Sequence, residues 1–181
     1  MAKSRKIILG VTGSIAAYKA GDIIRRLQDQ GLEVKVVMTK EAERFITPLT
    51  LETLCGGKVY RSLFDDAEAW RMDHIQVAQE ADMILIAPAT ANIIGKLANG
   101  IADDLLTCMA IATKAKIVIA PAMNIEMYRN KIVQENIAKL KRHGVSFIEP
   151  VEGKLACGTV GIGHLAEVED IVKMVLQGMQ N

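Results

Sequence analysis

Apolar residues in this chain fall into short, β-branched runs separated by longer stretches of helical periodicity. The runs Lys6–Val11, Glu33–Met38, Met83–Ala87, Lys116–Ala120 and Val145–Ile148 predict strands. They are continuously apolar rather than alternating, which suits a sheet covered on both faces. The 3.6-residue pattern predicts helices over Ile15–Gln30, ended by Gly31, and over about Ala91–Leu97, Asp103–Ala112, Lys131–His143 and Val168–Gln177. A further helix is expected to begin near Glu41. Strand and helix alternate, so the fold class is α/β: a doubly wound, Rossmann-like or flavodoxin-like parallel sheet with right-handed crossovers. Gly57–Asp73 gives no clear pattern, and Glu149–Gly163 predicts a long glycine-containing loop. Long loops in small domains are often functional.

Composition narrows the class. The 181 residues suit one domain spanning residues 1–181, since domains commonly run ~100–200 residues. Half the residues are hydrophobic but only 4% are aromatic, so the core must be aliphatic. A formal net charge of +1 gives no reason to expect nucleic acid or an anionic membrane as partner. The basic start Lys3-Ser4-Arg5-Lys6 leads into an apolar run, Ile7 to Val11, too short for a signal-peptide core. Apolar runs also fall short of the ~18 residues a spanning helix needs, so a soluble, cytoplasmic protein is expected. Cys55, Cys108 and Cys157 are widely spaced, and no histidine lies at ligand spacing from them. A disulfide framework or zinc site is not expected.

In open α/β sheets ligands bind beyond the carboxyl ends of the strands. The residues there are Thr12-Gly13-Ser14, Thr39, Pro88-Ala89-Thr90-Ala91-Asn92, Pro121-Ala122-Met123-Asn124 and, past Ile148, Leu155-Ala156-Cys157-Gly158. The turn Gly10-Val11-Thr12-Gly13-Ser14 enters a helix, where N–H groups and the helix dipole favour an anion such as phosphate. A tight turn that needs glycine explains the same residues. The turn is neither a Walker loop nor Gly-x-Gly-x-x-Gly. A dinucleotide site places an acidic residue after the second strand to bind the ribose; this chain has Met38-Thr39-Lys40. A hydroxyl and a cation suit a phosphate, which favours a mononucleotide such as FMN over NAD. The alternative is that Thr39 caps the helix near Glu41. Thr90 reads equally well as a helix N-cap.

Taken in order, these motifs resemble a known family, the homo-oligomeric flavin-containing cysteine decarboxylases. The likeness rests on Gly10 to Lys19, Asp73-His74-Ile75, Ala87 to Asn92, Gly100 to Thr107, Pro121-Ala122-Met123-Asn124 and Leu155-Ala156-Cys157-Gly158. It is greatest to members acting on 4'-phosphopantothenoylcysteine in coenzyme A biosynthesis. The resemblance implies FMN as cofactor, with Gly13, Ser14 and Thr39 at its phosphate and ribityl chain and Thr90, Asn92 and Ala122 along the flavin. It implies His74 as the catalytic histidine and Asn124 as the group binding the substrate carboxylate, with Met123 and Ala156 beside the substrate. It implies Cys157 as a proton donor on a flap. It also implies a homotrimer or a multiple of trimers, and a phosphopantothenoylcysteine synthetase as a fused or separate partner.

One departure stands out. The family has an Arg-Met pair after Gly161-Ile162-Gly163, where this chain has His164-Leu165. Within the same family, peptidyl-cysteine decarboxylation of the lantibiotic type uses the same chemistry. A non-catalytic flavoprotein that regulates a phosphatase shares the fold. The Leu-Ala-Cys-Gly segment argues against a dipicolinate-synthase subunit or a flavin prenyltransferase. Cys55 and Cys108 read as core residues, and His143 before Gly144 as a helix-end residue.

Overall fold

All five predicted strands form, at Lys6–Val11 (β1), Glu33–Met38 (β2), Met83–Ala89 (β4), Lys116–Pro121 (β5) and Ser146–Phe147 (β6), β4 and β5 running past the predicted ends at Ala87 and Ala120 and β6 falling short of the predicted Val145–Ile148. With Val59–Tyr60 (β3) they make one six-stranded sheet. The computed structural model describes residues 4–63, 73–154 and 160–180. The sheet order is β3-β2-β1-β4-β5-β6, and every pair is parallel. The order reverses between β1 and β4. Ile7 to Gly10 of β1 pair with Met83 to Ile86 of β4 in register, while β1 pairs on its other side with all of β2.

Alternate residues of each central strand feed different cores. Ile7, Leu9, Met83 and Leu85 point to one face, where they join α1 (Ala20–Asp29), α2 (Pro48–Cys55) and α8 (Val168–Gln180). Ile8, Ile84 and Ile86 join the other core with residues of α3 (Asp73–Glu80), α4 (Ala91–Ala98), α5 (Leu105–Ala112), α6 (Ile125–Arg129) and α7 (Lys131–Arg142). Burial on both faces explains the lack of alternation in the sequence. Amphipathic helices supply the cover: in α1 the buried residues Ala20, Ile23, Ile24 and Leu27 follow i, i+3, i+4, i+7 spacing.

Three expectations need correction. The helix expected over Ile15–Gln30 is a 3₁₀ turn, Ile15–Lys19, followed by α1. Ser14 caps the turn, its hydroxyl accepting from Ala16 N at 3.3 Å. The helix expected near Glu41 is only a 3₁₀ turn, Ala42–Arg44, with no side-chain cap, so Thr39 does not cap it. The loop expected at Glu149–Gly163 is a second sheet, an antiparallel pair of Val151–Lys154 (β7) and Val160–His164 (β8). Glycine-rich strands without hydrophobic alternation give no period to read. Among the described residues no helix is long and apolar enough to cross a membrane, and no group of metal-ligating side chains assembles.

The Gly100–Thr107 motif builds the α4–α5 corner. Gly100 takes the left-handed conformation, φ 67°. Asp104 caps α5 in a reciprocal capping box with Thr107, whose side chain is fully buried. Lys96 on α4 reaches Asp103 at 2.8 Å and Asp104 at 2.9 Å. Burial works against charge on Asp104, but hydrogen bonds from Lys96 and Thr107 outweigh it and hold its carboxyl below the ordinary aspartate value. Asp104→Ala is therefore expected to lower unfolding free energy by about 1–2 kcal/mol, and Asp104→Asn, which keeps the cap, by much less. Because the folded pKa is depressed, this stabilisation is complete above the ordinary aspartate pKa and fades as pH falls towards the folded value. Urea midpoints of the two variants across that pH range check both statements.

Candidate active site

Reversal of the strand order between the parallel neighbours β1 and β4 leaves a crevice beyond their carboxyl ends, the position where such sheets bind ligands. Thr12 closes its floor. This buried residue follows β1; its hydroxyl donates to Pro88 O at 2.7 Å and accepts from Thr90 N at 3.1 Å. The ends of β1 and β4 are thus held together by this side chain and by Thr12 N–H, which donates to Pro88 O at 3.3 Å. Thr90 in turn caps α4, its hydroxyl accepting from Ile93 N at 3.4 Å.

Above this floor lies a cleft of about 480 Å³. Gly13, Ser14, Thr90, Ala122, Met123 and Asn124 all line it. Gly13 has no room for a side chain: a Cβ there would lie 2.5 Å from Glu41 Cβ. Glycine is needed for this close approach of the β2 exit to the β1 turn. Ala122 N–H donates to Ala89 O at 2.9 Å, so the β5 exit is fixed to the β4 exit. Asn124 caps α6, with Oδ1 accepting from Glu126 N at 2.8 Å. Size, shape and a few convergent polar groups are those of a small-molecule site.

Thr39 stands at the end of β2, its N–H donating to Val11 O at 3.0 Å. Among the described residues, its Oγ1 is the buried side-chain polar atom without a hydrogen-bond partner. A buried hydroxyl left unpaired costs about 1–3 kcal/mol, so its retention beside an anion-suited turn points to a ligand.

Other candidates are placed less simply. Asn92 lies in the first turn of α4 but is exposed and does not line the cleft of a single protomer. His74 is carried on α3, which packs against α5; its side chain lies outside the described residues. Ala156 and Cys157 also lie outside them. Cys55 and Cys108 are partly buried thiols, Cys55 packed against the core. His143 is the C-cap of α7, as its place before Gly144 suggested.

The cleft includes residues to which the sequence assigned no role. Tyr18 and Lys19 follow Ser14 within the 3₁₀ turn, and Met127 lies one helical turn beyond Met123. Lys19 brings a cation, paired with Glu167 at 3.9 Å. Gly163 and His164 of β8 also line the cleft, Gly163 O accepting from Met123 N at 3.0 Å. Both residues of the pair found in place of Arg-Met line the cleft; Leu165 is also a buried core residue, and the His164 ring lies against Gly153.

The match to the family model named Flavoprotein covers residues 1–180. The chain belongs to the Flavoprotein family. It is 49% identical over 176 residues to the coenzyme A biosynthesis bifunctional protein CoaBC of Vibrio vulnificus, covering 97% of this chain and 44% of that protein. The chain thus spans less than half the length of that relative. It is 44% identical to a probable phosphopantothenoylcysteine decarboxylase of Streptococcus mutans, covering 95% of this chain and 97% of that one. Among solved structures of the family, it is similar to a PPC decarboxylase variant, cysteine to serine, complexed with pantothenoylaminoethenethiol. There the TM-score is 0.88 at 30% identity, covering 99% of this chain and 100% of that chain. The FMN-dependent cysteine decarboxylase SpaF is similar at TM-score 0.82 and 31% identity, covering 98% of both chains. These likenesses establish the flavoprotein fold over essentially the whole described chain.

Gly163 offers a direct test of the cleft wall. It adopts φ 144°, and a Cβ there would lie 2.4 Å from Met123 O. Gly163→Ala is expected to destabilise the protein by about 1–3 kcal/mol through strain and overpacking, whereas Gly57→Ala, with open space around it, should leave it within about 0.5 kcal/mol. Thermal or urea unfolding of both variants measures the difference.

Proposed function

We propose that this chain is an FMN-dependent decarboxylase that converts 4'-phosphopantothenoylcysteine to 4'-phosphopantetheine in coenzyme A biosynthesis. The observation that carries the proposal is the convergence of Gly13, Ser14, Thr90 and Asn124 on the switch-point cleft, with the orphaned Thr39 hydroxyl on the neighbouring strand end, whose N–H donates to Val11 O. The names of the relatives, phosphopantothenoylcysteine decarboxylase and CoaBC, support the substrate. The FMN dependence of the similar cysteine decarboxylase supports the cofactor. The donor set fits FMN: a glycine turn and hydroxyls suit its phosphate, and β2 is followed by Thr39 rather than an acid that would bind a second ribose.

In this reading Gly13, Ser14 and Thr39 hold the phosphate and ribityl chain, and Thr90, Ala122 and, in an oligomer, Asn92 contact the flavin. When bound, FMN supplies a two-electron acceptor that later returns the same electrons. Oxidation of the substrate's CH2–SH to a thioaldehyde gives the α-carboxylate the electron sink it otherwise lacks. Loss of CO2 leaves an enethiolate, and return of two electrons and three protons, one of them to sulfur, gives the saturated thiol. Asn124 would hold the carboxylate by a neutral hydrogen bond, with Met123 and Ala156 beside it. A cation there would stabilise the charge being lost and slow its departure. His74 would serve the oxidation step, and Cys157 would deliver the final proton, a thiol being mostly protonated at neutral pH. The ene-thiol bound in the similar cysteine-to-serine variant supports CO2 loss before the last reduction.

A homotrimer, or a multiple of trimers, working in the cytoplasm completes the proposal. Its support is the apolar rim of the cleft, where Ile15, Tyr18 and Met127 are 58%, 62% and 48% exposed. The synthetase that supplies the substrate would be fused or separate, as CoaBC relatives suggest. The peptidyl-cysteine reading shares the chemistry and is tested by offering a peptide ending in cysteine.

Turnover is the first test: the FMN-loaded protein should release one CO2 per 4'-phosphopantetheine formed, with no external oxidant. No CO2 from the phosphopantothenoyl substrate, with release from the peptide, would transfer the proposal to the peptide. Asn124→Ala should lower kcat/KM by about 10- to 100-fold, as loss of a hydrogen bond to a charged group predicts. Cys157→Ser should still release CO2 but accumulate the product lighter by two hydrogens, whereas His74→Asn should stop before CO2 loss; anaerobic mass spectrometry separates them. Thr39→Val should weaken FMN binding about tenfold yet stabilise the FMN-free protein by about 1 kcal/mol, since it removes an unpaired buried hydroxyl. Flavin fluorescence titration and unfolding of the apoprotein read the two signs.

A further inference from the structure

The β7–β8 hairpin forms its own two-stranded sheet beside the six-stranded one. Three contacts moor it to the segment 121–129. Met123 N–H donates to Gly163 O at 3.0 Å. Gly161 lies under Ile125 so closely that a Cβ would fall 2.2 Å from Ile125 Cδ1. The third contact is at the hairpin's other strand: Tyr128 on α6 donates its hydroxyl to Glu149 Oε2 at 2.6 Å, two residues before β7 begins.

Tyr128 is 8% exposed, and its backbone N–H donates to Asn124 O at 2.9 Å, one turn away. Its carbonyl accepts from Gln134, which ties α6 to α7. Glu149 also accepts from Lys141 Nζ at 2.7 Å. The Lys141–Glu149 pair is about half exposed, and such pairs contribute little by themselves. The short bond from the buried phenol is charge-assisted and stronger. Burial and donation to Glu149 push the Tyr128 hydroxyl well up, so it stays protonated. Burial opposes the Glu149 charge, but bonds from Lys141 and Tyr128 outweigh it and hold its carboxyl below the ordinary range. A neutral phenol and an ionised carboxylate therefore persist across the neutral pH range.

The geometry points to Tyr128 as a positioning residue: its bond to Glu149 fixes the base of the β7–β8 hairpin against α6 and so sets how Gly163 and His164 of the hairpin stand against Met123 and Asn124 in the lining of the cleft. The inference rests on the decarboxylase reading for its kinetic consequence and on the fold alone for its structural one. A misplacement of ~1 Å in a reacting site costs up to ~100-fold in rate. Tyrosine to phenylalanine removes the tether while keeping the packed ring.

Tested in the FMN-loaded protein, Tyr128→Phe should lower kcat about tenfold while FMN affinity stays within about twofold of the unaltered protein. Glu149→Gln keeps an oxygen acceptor for the phenol and should retain most activity. Glu149→Leu should match Tyr128→Phe, and the double variant should be no worse than either single one. Unchanged kcat in Tyr128→Phe, or multiplying losses in the double variant, overturns the proposal. Hydrogen exchange supplies a readout independent of chemistry: Tyr128→Phe should speed exchange of amides in 151–154 and 161–164 and leave β1 and β4 unchanged. Unchanged hairpin exchange overturns the proposal even if the substrate assignment holds. Absent turnover in the unaltered protein, with faster hairpin exchange in the variant, sinks the substrate assignment and keeps the tether.

Discussion

Thr12 joins two strands that part company. β1 runs beside β2 on one side and β4 on the other, and the chain's crossovers leave in opposite directions from that pair. Beyond the last paired residues the backbone of each strand needs partners that the sheet no longer supplies. Thr12 supplies them for β4 from the end of β1, with its hydroxyl bonded to Pro88 O and Thr90 N and its N–H donating to Pro88 O. The cleft residues Gly13 and Ser14 follow Thr12 directly, and Thr90 is the residue it bonds. Ala122 is then fixed through Ala89, and Gly163 through Met123. A chain of short-range constraints thus transmits the geometry of the sheet to the cleft and on to the hairpin that walls it.

Glycines mark where that chain is tightest. Gly13 lets the β1 turn meet Glu41, and Gly163 lets β8 meet the Met123 carbonyl. At both points backbones approach more closely than any side chain permits, so the cleft has little freedom to widen. The aliphatic cores on the two faces of the sheet are continuous layers of Ile, Leu and Val packed against helices. Polar chemistry is confined to the carboxyl edge, where buried hydroxyls are either paired, as in Thr12 and Thr107, or await a ligand, as in Thr39.

The central sheet was legible because its strands are buried on both faces and so carry unbroken apolar runs; β1 and β2 begin and end where the pattern predicts. Short strands were not legible. β3 has two residues, and β7 and β8 carry glycines and charges that leave no period. The Ile15–Gln30 stretch has a helical period throughout, yet its first turn tightens to 3₁₀ under the Ser14 cap, a distinction that periodicity does not make. Of the candidate site, Gly13, Ser14, Thr90, Ala122, Met123 and Asn124 come together as the strand-end rule predicts. Asn92 does not, because it falls on the exposed side of the first turn of α4. Thr39 was ambiguous in sequence between cap and ligand; the missing cap bond and the orphaned oxygen decide against the cap. Tyr128 and Glu149 gave no signal, since twenty residues of intervening chain separate them and only the packing of α6 against the hairpin brings them together.

The central claim is that the switch-point cleft holds FMN with its phosphate at the β1 turn. A crystal structure of the FMN-loaded protein tests it most directly. The account predicts the phosphate within hydrogen-bond distance of the Gly13–Ser14 turn and a partner for Thr39 Oγ1. FMN bound elsewhere, or seated in the cleft with its phosphate away from that turn and Thr39 still unpaired, would contradict it.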